Sequence, residues 1–116
     1  MNRRAEGTRK EEEAASFLER EGYEILEKNF RSRHGEIDLV AREGRYVVFV
    51  EVKYRRSGSA GDPAEAVGAL KQRRLILAAR YYLKLHGLPE ETPCRFDVVA
   101  ITGNTFRLIR DAFWIA

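Results

Sequence analysis

Residues 36–53 read EIDLVAREGRYVVFVEVK, with Glu36 and Asp38 before a glycine-containing turn and Glu51 and Lys53 after it. Three carboxylates and one ammonium fall at alternate positions of two apolar runs. Hard divalent cations take oxygen ligands, and Mg²⁺ needs only one or two carboxylates beside its waters. If the fold brings these side chains together, a metal ion is the natural reason for gathering like charges that otherwise repel.

The elements that must position them are two strands. Period-2 patterning on both sides of Arg42-Glu43-Gly44-Arg45 predicts a β-hairpin. With Glu43-Gly44 as a two-residue loop, Arg42 pairs with Arg45, Val40 faces Val47, Asp38 faces Phe49 and Glu36 faces Glu51. That register puts Glu36, Asp38, Glu51 and Lys53 on one face, with Asp38 and Glu51 as diagonal neighbours about 7 Å apart. A solvated charged face is the plain alternative. Against it stands the VVFVEVK run, which is apolar on both faces and reads as a buried central strand, where unpaired carboxylates are costly.

The rest of the chain sets bounds. Its 116 residues suit one domain spanning 1–116, and 44% hydrophobic with 34% charged residues describes a soluble globular protein. One cysteine, Cys94, excludes an internal disulfide and a cysteine-rich zinc site. With no signal-peptide core and no membrane-length apolar run, the expected location is the cytoplasm. The excess of 21 basic over 18 acidic residues permits a nucleic-acid partner without requiring one.

In chain order, residues 1–7 are expected to be a flexible basic tail. Thr8-Arg9-Lys10-Glu11 matches a capping box, followed by a helix with Ala14, Ala15, Phe17 and Leu18 on its apolar face and Gly22 past its end. Tyr23 to Phe30 reads as a strand, and Arg31, Arg33 and His34 as a basic turn; His34 is a candidate phosphate donor or proton-transfer group, or a solvated turn residue. Beyond Lys53, Arg55 and Arg56 precede a Ser-Gly-Ser-Ala-Gly loop at 57–61. Asp62-Pro63-Ala64-Glu65 then carries helix-start signals, with Gly68 as a weak point. Leu75, Ala78, Ala79, Tyr82 and Leu83 form a core stripe on that helix, closed by Gly87. The same helix bears Lys71, Gln72, Arg73, Arg74, Arg80 and Lys84, a one-signed face that reads as a nucleic-acid surface or as plain solvated charge. Arg95–Thr102 and Thr105–Arg110 form a last pair of strands around Gly103-Asn104, and Asp97, alone in an apolar strand, is expected to be a hydrogen-bonded structural residue. The order is αβββαββ, a mixed α/β (α+β) sheet flanked by helices.

Asp38 followed by Glu51-Val52-Lys53 resembles the signature of the PD-(D/E)xK nucleases, the restriction-endonuclease-like superfamily. Gly35-Glu36-Ile37-Asp38-Leu39 with Phe49-Val50-Glu51-Val52-Lys53 resembles the bacterial YraN-like family within it more closely. The resemblance implies a restriction-endonuclease-like core and a metal-dependent endonuclease acting on DNA, favoured over RNA, with branched or recombining DNA suggested by similarity to Holliday-junction resolvases. It implies that Asp38 and Glu51 hold Mg²⁺ or Mn²⁺ with the Val52 carbonyl as a third ligand, that Glu36 extends the shell, and that Lys53 positions the attacking water and stays protonated among the carboxylates. Glu11 keeps two readings: capping-box member, or the first-helix glutamate that reaches the metal in resolvase-like proteins. Lys71-Gln72 matches a Lys-Gln pair of the family, and Lys10 departs from its usual Gly. Resolvases are dimers, so a homodimer is a further expectation. The competing expectation is a nucleic-acid-binding protein of the same fold with weak or no cleavage.

Overall fold

The computed structural model describes residues 3–56 and 67–113, with side chains of the first helix from Gly7 onward. The elements are α1 (Arg3–Arg20), β1 (Glu24–Ser32), β2 (Gly35–Glu43), β3 (Tyr46–Arg55), α2 (Ala69–Leu85), β4 (Cys94–Thr102) and β5 (Thr105–Phe113). The expected order αβββαββ is therefore observed. The 57–61 loop and the Asp62–Glu65 helix start lie outside the described residues.

The strands form one sheet in the order β1-β2-β3-β4-β5. Neighbours pair antiparallel except β3 and β4, which are parallel. A parallel pair cannot be closed by a hairpin, so the chain crosses between them through α2. β3 is thereby the central strand, and its apolar run fits burial on both faces.

The helices cover opposite faces. Ala14, Ala15 and Leu18 of α1 pack on Leu39, Ala41, Val48, Val50, Val99 and Ile101. Leu75, Ala78, Ala79, Tyr82 and Leu83 of α2 pack on Phe30, Val40, Phe49, Phe96 and Val98. The α2 stripe is the one its helical spacing predicts. Leu18 is fully buried between helix and sheet, so Leu18→Ala should cost about 2–5 kcal/mol.

Three local expectations are corrected. First, α1 begins at Arg3, so residues 3–7 continue the helix instead of forming a tail, and Thr8-Arg9-Lys10-Glu11 lies inside it. A capping box needs free backbone N–H groups, and interior positions have none to offer. Second, Gly68, expected as a weak point within the first turns of a helix, instead stands at the N-cap of α2, in extended backbone with no side-chain cap.

Third, the β2–β3 loop is Gly44-Arg45, closed by Glu43 opposite Tyr46. Gly44 takes φ +59, the conformation that the first loop position of a tight hairpin requires and glycine adopts without strain. Val40 consequently faces Phe49, not Val47. Because every partner moves by two residues, the face of each β3 side chain is unchanged. No helix among the described residues is long and apolar enough to cross a membrane.

Candidate metal and phosphate site

β2 and β3 pair from the hairpin loop back to Leu39 opposite Val50. Continuing that register brings Asp38 level with Glu51, a closer approach than the diagonal one expected. The ladder changes character there: the Val52 N–H donates to Asp38 Oδ2 at 2.8 Å. The alternation of β2 also breaks, since Ile37 and Val40 join the same core while Leu39 and Ala41 join the other. Across from this break Asn29 of β1 sits at φ +55, and the pairing passes from Lys28–Leu39 to Phe30–Ile37 around it. Asparagine tolerates that left-handed backbone better than most residues.

The distortion gathers carboxylates. Glu11 of α1, Glu36 and Asp38 each bring one carboxylate oxygen to within 4.8 Å of the other two. Glu11 is hydrogen-bonded by Asn29, and burial with the nearby Glu36 pushes its carboxyl up. Of its two readings, the capping role is gone and the placement beside Asp38 stands. Glu51, only 3% exposed, shares a hydrogen bond with Asp38 and pairs with Lys53 at 3.6 Å and with Lys71. Its Oε2 is buried without a well-formed hydrogen bond, although both ammonium groups approach it.

The electrostatics follow from the crowding. Burial, then the hydrogen bond and charge of Glu51, push Asp38 up to about 9, overriding the Val52 N–H that favours its anion. Burial acts the same way on Glu51, but the hydrogen bonds from Asp38 and Lys71 and the two ammonium charges hold it below the ordinary carboxylate range. The two carboxyls are thus driven apart, Asp38 toward its protonated form and Glu51 toward its anion. Lys53 is lowered by burial and by Lys71, against the pull of Glu51. The carboxylate does not act on it alone: a second ammonium beside it offsets that pull. Lys71 is raised by its contacts with Glu51 despite burial.

Two concavities meet at this point. One, about 550 Å³, is lined by Gly7, Lys10, Glu11, Val52 and Tyr54 together with Asp38, Glu51 and Lys71. The other, about 480 Å³, is lined by Gly35, Glu36, Leu70, Arg74 and Leu75 with the same three residues. The Lys71–Glu51 ion pair stands between them.

The basic residues fall in different places. Lys71 points into the cleft from the first turn of α2. Arg74 lines its second lobe, and Arg73 is exposed alongside. Gln72 turns away: its Nε2 donates to the Val67 carbonyl at 2.8 Å, satisfying backbone at the helix start. Arg31 is exposed near the end of β1 and Arg33 in the two-residue loop that follows. His34 completes that loop, its backbone N–H held by Ser32 Oγ at 3.1 Å. Arg55 closes β3 half-buried, and Arg56 follows it exposed. His86 caps α2 and lies 3.8 Å from Glu27, away from the cleft. Asn29 and the inward turn of Lys71 escaped the sequence reading; an Asn within a strand was the signal for the first.

Asp97 is structural, as expected. Fully buried, it accepts from the Tyr23 hydroxyl (2.6 Å), from Arg95 Nε (2.9 Å) and a second Arg95 nitrogen (3.0 Å), and from the Asp111 N–H (2.9 Å).

Fold and site together define a small mixed α/β protein in which a carboxylate-and-lysine cleft opens where the central strand parts from its neighbour. The chain belongs to the family described as Uncharacterised protein family UPF0102, whose model matches residues 10–101. The matched span contains every residue of the cleft from Lys10 to Lys71. A UPF0102 protein of Lachnoclostridium phytofermentans is 55% identical over 113 residues, covering 97% of this chain and 96% of its own. Another, from Symbiobacterium thermophilum, is 49% identical over 118 residues, covering 97% and 98%. The YraN-like resemblance is thus borne out at the level of the family.

Proposed function

We propose that this protein is a metal-dependent endonuclease of the restriction-endonuclease-like type, hydrolysing phosphodiester bonds of DNA in the cytoplasm. One observation carries the reading: the half-buried Asp38 and the buried Glu51 lie against each other in a cleft that also gathers Glu11, Glu36, Lys53 and Lys71. A purely structural arrangement gains nothing from such mutual repulsion. The donor set is hard oxygen throughout, which suits Mg²⁺ or Mn²⁺. The buried Glu51 Oε2, compensated here by the Lys53 and Lys71 ammonium groups, is an acceptor that a divalent cation would also suit.

Asp38 and Glu51 would hold the ion, with the Val52 carbonyl as a third ligand and Glu11 and Glu36 extending the shell, directly or through water. When bound, such an ion supplies charge neutralisation and a more acidic water. Lys53 orients that water and stabilises charge on the phosphate oxygens. Its lowered proton affinity makes it a better proton carrier than a fully solvated lysine. Loss of the Asp38 proton accompanies ion binding, since ligands must be deprotonated. Arg31, Arg33, Arg55, Arg56, Arg73 and Arg74 offer phosphate contacts that position the strand without reading its sequence.

The test is a panel of labelled linear, flapped and four-way DNA with matched RNA, incubated with Mg²⁺, Mn²⁺ or EDTA. Cleavage of DNA with either metal that stops in EDTA supports the proposal. Binding that persists in EDTA with no cleavage under any condition favours the second reading, a nucleic-acid-binding protein of this fold. The Lys71 ammonium lying on Glu51 is the observation in favour of that alternative. Sedimentation on and off the cleaved substrate tests whether a homodimer is the active form.

A further inference from the structure

Lys71 is the one ammonium that α2 places on Glu51, and it sits where an ion held by Glu51 would have to sit. Its side chain differs from that of Lys53 in freedom. Lys71 is 45% exposed at the first turn of a helix, and Lys53 is 24% exposed on the central strand. A lysine stem has four rotatable carbons and can carry its ammonium several ångströms without moving backbone. Both lobes of the cleft are open to that swing, because Asp38, Glu51 and Lys71 are the boundary they share.

We propose that Lys71 is an internal counter-ion that holds Glu51 in the metal-free protein, gives up that carboxylate to a divalent cation, and then serves as the phosphate contact on the α2 side of the cleft. The proposal rests on the reading of Asp38 and Glu51 as metal ligands. Two facts argue for it together. Glu51 is buried and cannot remain an uncompensated anion, so some cation must occupy it at all times. Lys71 alone among its described ammonium partners is exposed enough to leave without dragging a strand. Displacement would also join the two lobes into one groove running from Lys10 and Tyr54 past Asp38 to Arg74, a path for a nucleic-acid strand. An ammonium displaced from a carboxylate next to that path meets the phosphate that the strand brings.

The experiment is calorimetric titration of Mn²⁺ into the parent protein and into Lys71→Met, Lys71→Arg and Arg74→Met, with circular dichroism to verify folding. Competition lowers the parent's apparent affinity by the fraction of molecules in which Glu51 is free, so Lys71→Met is expected to bind Mn²⁺ about tenfold more tightly. Lys71→Arg should stay close to the parent. Arg74→Met removes the same charge one turn along without touching Glu51, and should change affinity by a smaller factor that fades with added salt. In Ca²⁺, Lys71→Met should bind a short DNA duplex more weakly although it binds the ion better. Equal Mn²⁺ affinity of the parent and Lys71→Met, or an Arg74→Met effect as large as that of Lys71→Met, overturns the proposal and leaves the metal site standing. If none of the four proteins binds Mn²⁺, the metal-site reading itself fails and this inference fails with it.

Discussion

Two carboxylates lie almost side by side in the middle of this sheet. Asp97 on β4 pairs with Val50 of β3, and Glu51 is the next residue along β3. Both are buried, at 0% and 3% exposure. Their surroundings differ in kind. Asp97 is enclosed by donors from Tyr23, Arg95 and the Asp111 backbone, and Arg95 passes its remaining charge to Glu43, which Arg110 completes. Every charge there has an opposite. Glu51 faces another carboxylate, two ammonium groups that crowd each other, and open volume. A closed, charge-matched network is how a sheet tolerates a buried acid. A frustrated and accessible one stores that energy for something that binds.

The largest separation of the two regions should appear in activity. Asp38→Asn or Lys53→Ala is expected to reduce metal-dependent cleavage by about 10³-fold, measured on the best substrate of the panel, with thermal stability kept or raised. Asp97→Ala should do the reverse in character. Removing it leaves Arg95 with Glu43 alone and the Tyr23 hydroxyl and Asp111 N–H without their acceptor, so urea unfolding should show a loss of about 3–5 kcal/mol. If Asp97→Ala spares stability and abolishes cleavage, the division between the two regions is wrong.

Next in size is a pH effect. Between the ordinary carboxylate pKa and about 9 the folded chain keeps a proton on Asp38 that the unfolded chain has released. Folding therefore binds a proton in that window, and stability falls as pH rises through it. In EDTA the melting temperature should drop by a few degrees from pH 6 to 8.5. Asp38→Asn should flatten that slope, and Mn²⁺ should oppose it, because ion binding expels the same proton. Glu51, whose carboxyl lies below its usual range, acts only at acid pH, where its protonation removes stability.

Smaller effects lie in the closed network. Tyr23→Phe removes one hydrogen bond to Asp97 and should cost about 1–2 kcal/mol in urea unfolding. Arg110→Ala breaks a half-exposed pair with Glu43 and should cost below about 1 kcal/mol, shrinking with salt.

What the sequence disclosed, and what it withheld, follows the same division. The core stripe of α2, the strand character of β4 and the acids of the hairpin all obey periodicity, and periodicity is local. Asp97 was readable as structural because a lone acid in an apolar strand must be satisfied. The hairpin register was not, since Glu43-Gly44 and Gly44-Arg45 both place a glycine in a two-residue loop, and only packing chooses between them. The start of α1 was misplaced because a capping-box pattern inside a longer helix has the same letters as one at its end. Lys71 was assigned to a solvated or phosphate-binding face, since the direction in which the first turn of α2 points depends on how the chain crosses from β3 to β4. Asn29 has meaning only once β1 is seen to break opposite Asp38. Local chemistry was legible, and convergence across elements was not.

Diffraction from crystals soaked in Mn²⁺, recorded for anomalous signal, bears most directly on the cleft. The expected result is a peak about 2.1–2.2 Å from carboxylate oxygens of both Asp38 and Glu51, with the Val52 carbonyl in contact and the Lys71 ammonium moved off Glu51. No peak in the cleft at saturating Mn²⁺, with the Lys71–Glu51 pair intact, would contradict a metal-dependent hydrolytic site in this protein.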